Sequence, residues 1–261
     1  MTSPPIVLLH GATASPRIWE SLLPSLKARH GVLVPTLAGH LGGPPVPTGG
    51  GNTVERIVDD MCNQLDEAGV GAAHLVGNSL GGWVALELAR RGRAQSVLAL
   101  SPAGGWNRAV DLQRMLLIFR VAGVLRRSKA MPRIAVDPRR RRMLLRAMAE
   151  HADRLTTAQT AAIFEDMAGC DVLAELIGGA RESGPIKTLS AACPIRVVWG
   201  ALDRTLPFAR YGRPMVAALP GAELEVLAGV GHVPMIDDPE ATADAILRFI
   251  EDVAPRKTQL M

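Results

Sequence analysis

The sequence is poor in aromatic residues, cysteine and lysine. Phe, Trp and Tyr together make up 3% of the 261 residues, although 48% of the chain is hydrophobic. We therefore expect a core of Ala, Val, Leu, Ile and Met, and this apolar content excludes an intrinsically disordered chain. Cys62, Cys170 and Cys193 are odd in number and scattered, which excludes a disulfide-stabilised scaffold.

Long apolar runs are also absent. A membrane-spanning helix needs about 20 mostly apolar residues, whereas a run such as 115–119 ends after five residues at Arg120. The first five residues, Met-Thr-Ser-Pro-Pro, contain neither the basic segment nor the apolar segment of a secretory signal. The sequence thus predicts a soluble, cytoplasmic protein without an integral membrane span.

Positive charge is concentrated in the middle of the chain. Residues 106–190 carry 15 Lys and Arg against 9 Asp and Glu, while the other 176 residues carry 14 against 16. We interpret the arginine run 139–142 as a solvated outer face, with attraction of anionic substrates and docking on an anionic membrane as alternatives. No nucleic-acid-binding motif or interleaved aromatic residue accompanies this charge, so nucleic acid is not an expected partner.

Strand and helix patterns alternate on both sides of a helical block. Aliphatic runs predict strands at 6–9, 32–34, 74–77, 97–100, 195–199 and 224–227. Thr53 is the predicted N-cap of one flanking helix. The pattern predicts an α/β fold with a doubly wound, mostly parallel sheet of about six strands. Residues 1–105 and 191–261 would form this core, and 106–190 an inserted helical cap over the carboxyl ends of the strands.

A Gly-x-Ser-x-Gly pattern at 77–81, hereafter the nucleophile elbow, lies between a predicted strand and a predicted helix. In such a turn the serine hydroxyl rises above the sheet, and Cβ atoms at Gly77 and Gly81 would collide with the strand and the helix. The helix that follows also directs its free N–H groups at the site. Ser79 is therefore the candidate nucleophile.

Two more candidate side chains follow later strands. Asp203 comes after the strand at 195–199, and His232 after the strand at 224–227. Nucleophile, acid and base in this chain order, each on a loop after a strand, are typical of a Ser-Asp-His triad. Asp237 and Asp238 are also close in sequence, but their position favours a helix N-cap pair, so Asp203 is the expected acid.

Four segments together resemble the α/β-hydrolase superfamily, from the first strand to the last helix. They are HGATAS at 10–15, GNSLGG at 77–82, WGALDR at 199–204 and GHVPMIDDPE at 231–240. The resemblance implies that Ser79 attacks a carbonyl, that His232 transfers the proton, and that Asp203 orients the imidazole. It also implies an oxyanion hole formed by the backbone N–H groups of Ala12 and Leu80. Only one strand precedes His10, so we expect the family's antiparallel edge strand to be missing.

The resemblance implies a serine hydrolase that cleaves small to medium apolar esters or lactones through an acyl-enzyme. Dehalogenases and epoxide hydrolases of this fold carry Asp at the elbow, so Ser79 favours acyl transfer over alkyl displacement. Alternatives are carbon–carbon bond hydrolysis of a diketone, perhydrolase or thioesterase activity, and a ligand receptor with little turnover. HGATAS lacks the Gly-Pro-Gly of the carbon–carbon branch, which disfavours the first. We expect no cofactor and no metal; a small apolar ester-like molecule is the expected partner, and a homodimer is left open.

Two histidines near the candidate site have structural interpretations. His10 is expected to shape the loop at 10–15 that carries the Ala12 amide, hereafter the oxyanion loop, rather than to contact substrate. His40 lies in the Gly- and Pro-rich stretch 37–51, which we interpret as a loop at the rim of the pocket. Apolar residues of the helical block are expected to roof that pocket, among them Leu117, Ile118, Phe119, Met143, Met148 and Phe164.

Overall fold

A sheet of six parallel strands forms the centre of the protein, whose computed structural model describes residues 4–125 and 136–254. The strands are β1 (Ile6–Leu9), β2 (Val32–Leu33), β3 (Ala73–Asn78), β4 (Ala94–Leu100), β5 (Ile195–Gly200) and β6 (Glu223–Leu227). Their order is β2-β1-β3-β4-β5-β6, and every neighbouring pair is parallel. The predicted α/β architecture is confirmed, and the described residues contain no antiparallel edge strand.

The central strands are buried on both faces, which explains their uninterrupted aliphatic sequences. In β1, Val7 and Leu9 pack into one apolar core, while Ile6 and Leu8 pack into the core on the opposite face. Side chains of a strand alternate between faces, so a strand covered on both sides needs apolar residues at every position. This is the physical basis of the strand prediction.

Helices cover both faces of the sheet. Those of the two chain ends are α1 (Leu23–Lys27), α2 (Thr53–Glu67), α3 (Leu80–Arg90), α8 (Phe208–Ala217), α9 (Pro234–Asp237) and α10 (Pro239–Val253). Between β4 and β5 the described residues form α4 (Ala109–Leu125), α5 (Pro138–Leu144), α6 (Thr157–Ala168) and α7 (Leu173–Ser183), and no strand. Within the described ranges, no helix combines the length and the apolar character needed to cross a membrane.

The start of α2 differs by one residue from the prediction. Asn52, rather than Thr53, is the N-cap: its side chain accepts from the Glu55 N–H, and the Glu55 carboxylate accepts from the Asn52 N–H. This reciprocal pair is a capping box, which satisfies two N–H groups that the first helical turn leaves free. Asn and Thr are both good caps, so the local sequence does not choose between neighbours.

The strand order creates a crevice at the carboxyl ends of the strands. The chain leaves β1 towards β2 on one side and returns to β3 on the other, so the loops after β1 and β3 diverge. Those loops contain Ala12 and Ser79. The loops after β5 and β6, which contain Asp203 and His232, begin at the same end of the sheet because all strands are parallel.

Candidate functional site

Ser79 occupies a strained turn between β3 and α3. Its backbone angles are φ 54° and ψ −114°, a region that residues with a Cβ rarely adopt. Main-chain hydrogen bonds hold this geometry. The Ser79 N–H donates to Leu100 O at 2.9 Å, and Ser79 O accepts from the N–H groups of Ala103 at 2.9 Å and Trp83 at 3.1 Å. Hydrogen bonds to β4, to the residues after it and to α3 therefore stabilise the strained backbone conformation of Ser79.

The glycines around this turn are required by close backbone approach. A Cβ at Gly77 would lie 2.2 Å from Gly81 O, and a Cβ at Gly81 would lie 2.1 Å from Leu9 O. Both distances are far below van der Waals contact, and in both cases the obstacle is backbone, which cannot rotate away. Any larger residue at either position would have to displace the turn that presents Ser79.

Asp203 and His232 contact each other through their side chains. The Asp203 Oδ2 atom lies 2.8 Å from His232 Nδ1, and both residues are buried. Asp203 Oδ1 accepts from the Leu206 N–H at 2.7 Å, so both carboxylate oxygens have defined partners. With Nδ1 donating to the carboxylate, His232 Nε2 is left as the acceptor nitrogen of the neutral ring.

The elbow and the histidine loop are directly connected. The Asn78 side-chain amide donates to Leu100 O at 3.1 Å and to His232 O at 3.0 Å. Asn78 precedes Ser79, so one buried amide links the backbone of the candidate nucleophile to that of the candidate base. This role of Asn78 could not be predicted from the sequence, because an Asn inside the Gly-x-Ser-x-Gly pattern does not reveal its hydrogen-bond partners.

The backbone N–H groups of Ala12 and Leu80 have no hydrogen-bond acceptor among the described residues. Leu80 is the first residue of α3. The loop before Ala12 runs close to the elbow, because a Cβ at Gly11 would lie only 3.3 Å from Ser79 Cβ. Free N–H groups at a helix N-terminus attract negative charge.

His10 supports this loop from below rather than lining the cavity. Its Nε2 accepts from the Leu37 N–H at 3.0 Å, so Nδ1 carries the proton and donates to Gly11 O at 2.9 Å. Complete burial, together with the nearby His40 ring, lowers the pKa of His10 to about 3. The expectation that His10 shapes the oxyanion loop agrees with these contacts.

A cavity of about 410 Å³ lies above Ser79 and His232. Five of the residues expected to roof this cavity line it: Leu117, Ile118, Phe119, Met148 and Phe164. Met143 does not line it and is 68% exposed, so the prediction was wrong for Met143. Among the described residues, no Asp, Glu, Lys or Arg side chain lines this cavity. It therefore favours neutral, apolar ligands.

The stretch 37–51 does not form the rim that the sequence suggested. None of its residues lines the cavity, and Leu37, Ala38 and His40 are buried. The His40 ring packs edge-on against His10, with 4.9 Å between ring centroids. This part of the loop supports the candidate oxyanion loop instead.

A second, smaller apolar cavity of about 60 Å³ also borders Ser79. Ala12, Ser79 and Phe119 border both spaces. Trp83 and Trp106 line the smaller one, with their rings edge-to-face and their centroids 5.7 Å apart. Ser79 thus stands between two apolar spaces of very different size.

Asp237 has a role that the sequence interpretation missed. Asp238 alone is the N-cap of α10, accepting from the Ala241 N–H at 2.9 Å. Asp237 is buried, and its carboxylate accepts from the N–H groups of Gly231 at 2.6 Å, His151 at 2.7 Å and Glu150 at 3.0 Å. The interpretation of an N-cap pair was therefore wrong for Asp237, which joins the loop of His232 to the segment after α5.

The same segment also contacts the loop of Asp203. Thr205 Oγ1 donates to Ala147 O at 2.7 Å, and the Arg204 guanidinium pairs with Glu150. Glu150 also pairs with Arg142 at 2.8 Å. Arg204 first, and then Arg142, lowers the pKa of Glu150 to about 2. Residues 147–150 therefore contact both loops that carry candidate catalytic side chains.

The arginine run divides into exposed and structural members. Arg139 and Arg140 are exposed, whereas Arg141 is buried and donates to Ala152 O at 3.0 Å and Asp153 O at 2.9 Å. Arg142 is also exposed, so the interpretation of the run as a solvated face holds for three of its residues and was wrong for Arg141. Across the described residues, no group of three or more His, Cys, Asp or Glu side chains could hold a metal ion.

Comparisons with known proteins agree with this architecture. A model of the alpha/beta hydrolase family matches residues 6–245. Epoxide hydrolase EphH of Mycobacterium tuberculosis is 36% identical over 204 residues, covering 76% of this chain and 95% of that protein. The pimeloyl-(acyl-carrier protein) methyl ester esterase of Aromatoleum aromaticum is 31% identical over 271 positions, covering 97% and 99%. A thermophilic esterase structure from Thermogutta terrifontis shares the fold, with a TM-score of 0.76, 24% identity and coverage of 97% and 92%.

Proposed function

Because the chain belongs to the alpha/beta hydrolase family, we propose that it is a serine hydrolase that cleaves carboxylic esters through an acyl-enzyme on Ser79. One observation carries the proposal. His232, whose Nδ1 lies 2.8 Å from Asp203 Oδ2, and Ser79 in its strained turn border the same apolar cavity. A nucleophile, a base and a residue that orients the base are the minimum that acyl transfer needs.

The proposed reaction has two halves. His232 Nε2 takes the proton of Ser79 Oγ while Oγ attacks the ester carbonyl carbon, and the amides of Ala12 and Leu80 donate to the resulting oxyanion. Asp203 stabilises the protonated imidazole, which then gives the proton to the leaving alkoxide so that the alcohol departs. Water next attacks the acyl group in the same way, and Ser79 is released with the carboxylic acid.

The elbow residue favours ester cleavage over epoxide opening. A carboxylate nucleophile opens an epoxide to an ester, which water can hydrolyse, whereas a serine oxygen would form an ether that no step of this mechanism cleaves. The relative named epoxide hydrolase therefore does not lead us to propose that activity here. The relative named methyl ester esterase agrees with the chemistry that Ser79 can complete.

Ester turnover and covalent labelling test the proposal together. Wild-type protein, Ser79→Ala and the control Ser25→Ala, which changes an exposed serine of α1, are assayed with p-nitrophenyl esters and a fluorophosphonate probe. We expect Ser79→Ala to lose labelling and to lower kcat by about 10⁴-fold or more, with Ser25→Ala unchanged. Ester turnover or labelling that does not depend on Ser79 would contradict the proposal. A burst without sustained turnover would favour the receptor alternative.

A further inference from the structure

The geometry points to an assignment of the two apolar spaces beside Ser79. We propose that the larger space, hereafter the large lobe, binds the alcohol part of the ester, and that the smaller one, the small lobe, binds the acyl part. The preferred substrates are then short-chain acyl esters of bulky, neutral, apolar alcohols. This assignment rests on the proposed function, because it assumes attack by Ser79 on an ester carbonyl.

The position of His232 distinguishes the two lobes. Ala12, Ser79 and Phe119 border both, as expected for groups next to the reacting carbonyl. His232 lines only the large lobe. Leu80, which supplies an oxyanion amide, lines only the small lobe.

Proton transfer decides which half of the ester enters which lobe. The alkoxide can leave only after its oxygen receives a proton from His232 Nε2, so that oxygen must lie within hydrogen-bond distance of the ring. The alcohol attached to it therefore extends into the lobe that His232 lines. The acyl chain remains bonded to the tetrahedral carbon and extends from it in a different direction. The small lobe is the other apolar space that borders Ser79, so the acyl chain is assigned to it.

The volumes then set the chain lengths. The small lobe has a volume of about 60 Å³ and the large lobe a volume of about 410 Å³, so the large lobe is roughly seven times larger. We therefore expect a short acyl group such as acetyl in the small lobe, and we expect a longer acyl chain to meet its walls.

Those walls are well packed. Trp83 and Trp106 are buried and pack edge-to-face, which limits the movement of either ring. A Cβ at Gly104 would lie only 3.0 Å from the Trp83 ring, so backbone also packs against this indole. In the large lobe, Leu117 and Val121 are 60% and 51% exposed, so these two wall side chains are less tightly packed than the two indoles.

Two isoleucines offer a matched pair of variants. Ile177 on α7 lines only the small lobe, and Ile118 on α4 lines only the large lobe. Both side chains are half-buried, so Ile→Ala at either position removes the same three carbons at similar risk to folding. Ile177→Ala enlarges the proposed acyl site, and Ile118→Ala is its control.

The experiment measures kcat/KM with two ester series. One keeps the alcohol as 1-naphthol and lengthens the acyl group from acetyl to hexanoyl. The other keeps acetyl and enlarges a primary alcohol from ethanol to 2-(1-naphthyl)ethanol, so that the leaving group remains an alkoxide throughout. We expect kcat/KM to fall at least tenfold along the first series and to rise along the second. Ile177→Ala should raise the hexanoyl-to-acetyl ratio about tenfold, and Ile118→Ala should leave that ratio unchanged.

The outcomes separate this assignment from the function on which it rests. A preference for hexanoyl over acetyl, or a change of the acyl ratio by Ile118→Ala instead of Ile177→Ala, would reverse the lobes while leaving ester hydrolysis intact. Absence of turnover in both series, without fluorophosphonate labelling of Ser79, would overturn the proposed function itself.

Discussion

His10 is a buried side chain whose two ring nitrogens both contact the main chain. Nε2 accepts from the Leu37 N–H, and Nδ1 donates to Gly11 O, next to the Ala12 amide. A second proton on Nε2 would face the Leu37 N–H, so the folded protein holds the ring neutral. The residue therefore links the conformation of the proposed oxyanion loop to a single protonation state.

This geometry predicts a pH-dependent stability. The folded pKa of about 3 lies below the ordinary value of 6.5, so between these values the unfolded chain binds a proton that the folded chain does not. The contribution is complete above pH 6.5 and is lost as pH falls towards 3. We expect His10 to account for a fall of about 2 kcal/mol in the free energy of unfolding between pH 7 and pH 5.

Denaturant unfolding at pH 7, 6 and 5 compares wild type with His10→Gln. The variant should be less stable at pH 7 by about 1–3 kcal/mol, because main-chain groups lose a buried partner. It should nevertheless show a smaller fall between pH 7 and pH 5. Burial also lowers the pKa of His40, which leaves part of the slope in the variant. An unchanged fall in the variant would show that His10 does not titrate in this way.

At the scale of elements, the segment between α5 and α6 connects the two loops of the candidate site. Val233 N–H donates to Met148 O at 3.0 Å, and the Asp237 carboxylate accepts the N–H groups of Glu150 and His151. The same carboxylate accepts from Gly231, next to His232. A segment far away in sequence therefore determines where the imidazole lies.

We expect Asp237→Asn to reduce activity through the position of His232. An amide replaces one acceptor oxygen by a donor that faces a main-chain N–H, and the loop that carries the imidazole must shift to relieve this contact. The variant should lower kcat about tenfold with a small change in KM, and slow fluorophosphonate labelling in parallel.

Asp238→Asn is the matched control for that variant. It changes the neighbouring carboxylate, which caps α10, and Asn is an equally good N-cap. The control should keep wild-type kcat and melting temperature. If Asp237→Asn lowers the melting temperature without slowing labelling of the folded enzyme, Asp237 stabilises the fold and does not position His232.

At the scale of the whole molecule, positive charge and substrate space are separate. The excess of positive charge lies in residues 106–190, but among the described residues no arginine lines the cavity above Ser79. Arg139 and Arg140 are exposed in the first turn of α5, after its N-cap Asp137. Charge on exposed side chains that do not line the cavity acts on a substrate through solvent, where salt screens it.

We therefore expect the charge reversal Arg139→Glu/Arg140→Glu to leave substrate selection unchanged. Acidic residues suit the first turn of a helix, so α5 should remain folded. The values of kcat/KM for a neutral acetate ester and for an anionic hemisuccinate ester should each change less than about twofold, at low and at high salt. A salt-sensitive loss confined to the anionic ester would instead favour electrostatic attraction of substrate.

The sequence by itself determined the strands, the helices and the chain order of Ser79, Asp203 and His232. Aliphatic runs, glycines at the elbow and polar residues at strand ends are local features, and local steric and hydrophobic forces act on them directly. The sequence also favoured Asp203 over Asp237 as the acid, but only the tertiary structure brought Asp203 Oδ2 to 2.8 Å from His232 Nδ1. The tertiary structure also decided that Asp237 accepts three amides and that Ser79 lies between two unequal lobes. These features depend on contacts between segments far apart in the chain, and no local pattern encodes such packing.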